Sequence, residues 1–160
     1  MKELQDRWAA GQLIGLDIVY CGGAAVKNID IASIENDRLT HAFGREYRIS
    51  YEGEAELNEL LGDDDVWSEV QVYNKLSLEG GRVILCGEGE MGNEGFIART
   101  DKDNNIEWFL FSTTSNPFVD IRRQGDFVYI QSTHRFCIAL NLLSDEVFIV
   151  NEDFSTLGAV

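Results

Sequence analysis

The stretch 82-RVILCGEGEMGNEGFIARTDKDNNIEW-108 decides how this chain folds. It opens on an apolar run, Val83-Ile84-Leu85-Cys86, and passes at once into Gly87, Gly89 and Gly92, spaced G-x-G-x-x-G. Loops with that spacing cradle a dinucleotide pyrophosphate when a strand precedes them and a helix comes after, because the phosphate rests on the helix N-terminus. This chain continues instead as "NEGFIART", an early Gly95 and then residues of strand-forming type. Glu88, Glu90 and Glu94 would also set three carboxylates against the phosphates. The glycines are therefore expected to serve a long inter-strand loop rather than a nucleotide.

The same design recurs further along. In 126-DFVYIQSTHRFCIALNLLSDEVF-148, Phe127-Val128-Tyr129 matches Val83-Ile84-Leu85, Ile138-Ala139 matches Ile97-Ala98, and Phe148 matches Trp108. Each copy reads strand, loop, strand, polar turn, strand, at a spacing of 40 to 44 residues. An earlier segment, "YCGGAAVKNIDIAS", sets Cys21-Gly22 on Cys86-Gly87 and Ile31-Ala32 on Ile97-Ala98, with "ENDR" as its turn and "LTHAF" as its closing strand. A degenerate further copy falls at "GDDDVW", 41 residues from Trp67 to Trp108. "VQVYNKL", "IEWFLFST", "FCIAL" and "EVFIV" join "RVILC", "GFIART" and "FVYIQST" as short strands, rich in β-branched and aromatic residues. "DKDNN", "RRQGD" and "LLSD" supply hairpin turns, with Asn, Asp and Gly able to take positive φ.

Such a unit of about 40 residues resembles a blade of a β-propeller over residues 80 to 150. The resemblance implies an all-β fold of antiparallel meanders, a small or incomplete propeller or a twisted sheet of stacked meanders. Beyond the N-terminal segment one short helix is expected near 54–61, where "EAELNELLG" puts Leu57, Leu60 and Leu61 on one face and Gly62 at the C-cap. Trp67 and Trp108 hold equivalent repeat positions, as core residues do.

With 160 residues, a single proline and no Ser/Gly/Pro-rich linker, the chain reads as one domain, 1–160, able to bury a core without staples. The N-terminus lacks a long apolar signal region, and no apolar run approaches a membrane span. Cys21, Cys86 and Cys137 lack metal-type pairing and read as reduced, buried, small hydrophobes, in keeping with a cytoplasmic protein.

Charge dominates the composition: 28 acidic against 13 basic residues, a net charge of −15. No Lys or Arg occurs from Ile49 to Asn74, which carries Glu52, Glu54, Glu56, Glu59, Asp63, Asp64, Asp65 and Glu69. Such a field repels nucleic acid and anionic membranes and speeds encounter with a basic partner. Arg122-Arg123, expected at a hairpin tip, make no basic face.

Other chemistry is thinly represented. Asp101, Asp103, Asn105 and Glu107 alternate as in a calcium loop, but Ile106 stands where the sharp-turn glycine belongs and Ser112 where the closing glutamate belongs. A hairpin turn explains them equally. Of the two histidines, His41 and His134, the second neighbours a hydroxyl in "STHR", but adjacent strand residues point to opposite faces, and a surface histidine beside a loop is expected. No catalytic constellation, metal site or cofactor site is expected.

The profile of a small, acidic, all-β protein resembles the immunity proteins of bacterial toxin systems, contact-dependent inhibition among them. The resemblance implies a protein that is not an enzyme and that binds and blocks a basic toxin, often a nuclease. Glu52, Glu54, Glu56, Asp63, Asp64, Asp65, Glu88, Glu90 and Glu94 would then meet its basic surface. A propeller-like scaffold that binds proteins or peptides is the alternative, and an unrecognised hydrolase a distant third.

Overall fold

A computed structural model describes residues 2–39 and 44–155. Strands make up 53% of the chain and all their pairings are antiparallel, so the all-β class holds. In chain order the elements are α1 (Lys2–Ala9), β1 (Gln12–Ile14), β2 (Ile18–Tyr20), β3 (Ala25–Glu35), β4 (Arg45–Glu56) and α2 (Leu57–Leu61). Next come β5 (Trp67–Glu69), β6 (Gln71–Ser77), β7 (Val83–Glu88), β8 (Gly95–Thr100) and β9 (Ile106–Ser112). The chain continues through β10 (Phe118–Gln124), β11 (Phe127–Ser132), β12 (Cys137–Asn141) and β13 (Val147–Val150).

Three layers result. A seven-stranded sheet, ordered β4-β3-β2-β9-β8-β7-β6, forms the middle, and a four-stranded meander, β10-β11-β12-β13, covers one face. Between them lies a core of Val19, Ile31, Ile84, Ile97, Trp108 and Leu110 from the first sheet against Phe118, Val128, Ile130, Ile138 and Leu140 from the second. On the opposite face, Leu4 and Trp8 of α1, Leu13 and Ile14 of β1, and Leu57 of α2 pack on Phe96, Ala98, Phe109 and Phe111. Alternate residues of β8 and β9 thus feed different cores, which is why every residue of "GFIART" is buried. Trp108 is fully buried and Trp67 half-buried.

The sandwich is sealed along both sides by asparagines. Asn74 on edge strand β6 donates to Val119 O and Asp120 Oδ1 of β10, at 3.4 and 3.2 Å. Asn151, just past β13, accepts from Tyr47 N at 2.7 Å and donates to Tyr47 O at 3.0 Å, satisfying backbone groups on the open edge of β4.

Several expectations need correction. The helix near 54–61 starts only at Leu57, because Glu54, Ala55 and Glu56 pair with Lys27, Val26 and Ala25 and extend β4. Gly62 does take the C-cap, with right-handed φ of −79°. A further helix, α1, precedes the first strand. Of "LTHAF", expected to close the earlier segment, only Leu39 is described, outside any strand, and 40–43 fall outside the described residues; the strand that pairs with β3 is β4, from Arg45. That unit forms no sheet of its own, since β2 pairs with β9. "RRQGD" is only in part a turn. Arg122 and Arg123 belong to β10; Arg122 stacks over Phe154 at 4.5 Å, and Arg123 pairs with Glu79 at 2.7 Å.

Candidate functional site

The acidic residues divide between two places. Glu52, Glu54 and Glu56 lie on β4, all exposed, and a bulge at Glu52-Gly53 breaks their alternation. Gly53 takes φ +105° there. Ser50 Oγ donates to Glu52 Oε1 at 2.6 Å, while Glu54 stands opposite Lys27 in the register.

The second group forms a rim around β5. Asp63 Oδ1 accepts from Asp65 N at 2.9 Å, which sets the single 3-10 turn Asp64–Val66 leading into β5. The connection between β7 and β8 is shorter than the long loop expected around the glycines, because β7 runs to Glu88, taking in Gly87, and β8 begins at Gly95. It docks onto β5: Glu69 N donates to Glu90 Oε1 at 3.0 Å, and Glu90 N to Ser68 Oγ at 3.2 Å. Glu94 Oε1 accepts from Met91 N at 3.1 Å. Glu88 is half-buried and bonds the Tyr73 phenol, raising its pKa. Glu90 therefore sits beside Glu69 at the end of β5, Glu88 and Glu94 flank the same connection, and Asp63, Asp64 and Asp65 lie on the turn that enters β5. The β4 acids sit five strand positions from β7, roughly 24 Å at the usual strand spacing. Sheet order separates the β4 acids from those on the β7–β8 connection, whereas Asp63, Asp64 and Asp65 follow Glu56 after the single short helix α2.

The calcium-like alternation is a turn. Asp101 Oδ1 accepts from Asp103 N at 2.8 Å and Asn105 N at 2.9 Å, and Asn104 takes φ +65°. The Asn105 backbone bond chiefly holds the Asp101 carboxyl below its usual pKa. Among the described residues no group of three His, Cys, Asp or Glu is placed to hold a metal ion.

The cysteines differ from expectation. Cys86 and Cys137 are buried, and burial pushes their pKa values up to about 12, but Cys21 is exposed. A thiol reagent at neutral pH should modify Cys21 alone in native protein and all three cysteines in denaturant. Native labelling of Cys86 or Cys137 would contradict their packing.

A second feature was not legible in the sequence. A recess of about 430 Å³ opens where β3 and β4 meet the β11–β12 turn, lined by Asp30, Ile31, Ala32, Ser33, Arg45, Tyr47, Thr114 and His134. Arg45 Nε donates to Ser33 Oγ at 2.8 Å and Nη2 to Ser33 O at 3.4 Å. Thr114 Oγ1 donates to Ile31 O at 2.6 Å. His134 is half-buried on a turn, not simply a surface residue, and stacks on Tyr47 with ring centroids 5.3 Å apart. Burial, aided by the Arg45 charge, lowers its pKa and favours the neutral imidazole. His41 lies outside the described residues.

No protein-family model, curated protein or solved structure matches this chain. Among the described residues no helix is long and apolar enough to cross a membrane.

Proposed function

We propose that this protein is a cytoplasmic immunity-type inhibitor that captures a basic protein, a toxin domain such as a nuclease, through the carboxylates around β5. One observation supports this most: the chain carries a net charge of −15, and these acids are left largely without ion pairs among the described residues. Among the nine expected contact acids only Asp64 has an ion pair, with Arg7 at 3.6 Å, and its side chain is 93% exposed. Unpaired surface carboxylates steer a cationic partner into encounter and substitute for the phosphates its cleft would bind. The β4 acids form a secondary contact. We read the meanders β6–β9 and β10–β13 as two copies of one blade-like unit that holds the β7–β8 loop rigid at its base.

Affinity capture from the source cells should return a strongly basic protein, whose association slows about tenfold or more as salt is raised. Replacing Asp63, Asp64 and Asp65 with Asn and Glu90 with Gln keeps the local acceptors while removing four charges. That variant should associate about tenfold more slowly with little change in dissociation. Glu52→Gln/Glu54→Gln should have the smaller effect. A neutral partner bound independently of salt would overturn the proposal and favour a peptide-binding scaffold.

A further inference from the structure

We propose that the recess between the β3–β4 hairpin and the β11–β12 turn binds a small planar carboxylate, separately from the acidic rim. Three features of its wall carry this.

The first is a column of rings. Tyr47 stacks on Phe136 at 4.4 Å and 20°, and on His134 at 5.3 Å and 23°. Among the described residues Phe136 and His134 share no ring contact, so Tyr47 is the middle member and half-buried His134 the outer one. Phe136 is fully buried and anchors the column in the core between the sheets. The face of His134 turned from Tyr47 offers a flat, neutral, rigid surface on which a planar group continues the stack.

The second is a cation without a carboxylate. Arg45 forms no ion pair among the described residues, although acids outnumber bases twofold. Glu35, its cross-strand partner, is exposed and not ion-paired with it. The two bonds to Ser33 fix the guanidinium plane, and among the described residues Nη1 makes no hydrogen bond. A guanidinium so held is organised in advance for a carboxylate fork, and its bonds are charge-assisted. Ile31, Ala32 and the rings make the apolar part of the wall, and Asp30, Ser33 and Thr114 its remaining polar part.

The third is size. About 430 Å³ lies within the range of roughly 300–1,000 Å³ usual for small-molecule sites. A single guanidinium beside a neutral imidazole suits a monoanion; a phosphate dianion would need a second cation. Asp30 also lines the recess and opposes an anion there, although it forms no ion pair with Arg45 among the described residues; the acids of the rim oppose it only weakly, because their field is screened beyond about 8 Å at physiological salt.

Benzoate is the probe. Titrated into the ¹⁵N-labelled protein, it should cause saturable amide shifts at Ala32, Ser33, Arg45, Tyr47, Thr114 and His134. Benzamide, of the same shape but neutral, should bind about tenfold more weakly, and so should inorganic phosphate, which lacks the ring. Arg45→Gln should weaken benzoate about tenfold, with Arg45→Lys in between and His134→Ala reduced several-fold. Absence of saturable shifts, equal binding of benzoate and benzamide, or phosphate binding as tight as benzoate would overturn the proposal. These comparisons use the unaltered protein and stand even if an Arg45 variant fails to fold. Salt-dependent capture of a basic protein at the acidic rim is read separately, so either site can fail alone.

Discussion

Replacing Asp145 with asparagine is expected to lower the unfolding free energy by about 3 kcal/mol, the lower end of what breaking a buried ion pair costs. Arg99 of β8 is 5% exposed and reaches from the middle sheet to the β12–β13 turn of the outer one. There its Nη1 and Nη2 meet Asp145 Oδ1 and Oδ2 at 2.6 and 3.1 Å. Burial opposes the Arg99 charge, but Asp145, with help from Glu107, more than offsets it and raises the pKa. Without Asp145, Arg99 keeps only Glu107 at 3.3 Å, an acid it shares with Arg82 at 2.8 Å. Asparagine tolerates the left-handed φ of +60° at this position, so the change isolates the charge. Urea unfolding at an unchanged slope measures the loss, and Arg99→Met added to Asp145→Asn should recover most of it. A loss under about 1 kcal/mol would mean the pair contributes no more than a surface one.

Gly87→Ala should be comparably damaging, by about 3 kcal/mol, at the upper end of overpacking effects. A Cβ on Gly87 would stand 1.8 Å from Gln71 O and 3.0 Å from Phe96 Cε1. The obstacle is backbone, so only displacement of β6 relieves it, and β6 also carries the Asn74 bridge that closes the sandwich. Thermal melting should show the loss, and hydrogen exchange should place it in 71–77. Gly92→Ala, with nothing within 4 Å of its added Cβ, should change stability by less than about 0.5 kcal/mol. Equal effects at the two glycines would refute this account of the G-x-G-x-x-G spacing, in which Gly87 serves strand packing and Gly92 only the loop.

The strands read most clearly from residues were those with their own punctuation. "RVILC", "GFIART", "IEWFLFST", "FVYIQST", "FCIAL" and "EVFIV" all became strands within a residue or two. β10 was hidden because Asp120, Arg122 and Arg123, all only half-buried, break the apolar alternation and make "FVDIRRQ" resemble a turn. β4 was hidden for a similar reason, since its second half is nearly all exposed. Local helix propensity at Glu54–Glu56 lost to pairing with β3, a contact across the hairpin that no short window contains. The recess was illegible because its wall is drawn from four separate places, 30–33, 45–47, Thr114 and His134.

What the residues determined by themselves was the alternation of strand and turn, the all-β class, the excess of negative charge and the exclusion of a nucleotide loop. Each depends on neighbours within a few positions, or on a sum over the whole chain. Tertiary structure decided which strands share a sheet, that β8 and β9 are buried on both faces, and that Glu90 docks beside Glu69 while Glu52 lies across the sheet. It also set Arg45 and His134 on one wall. A strand's pattern states that it will pair and bury, whereas its partner is chosen by packing among residues far apart in sequence, such as Arg99 with Asp145 and Tyr47 with Asn151.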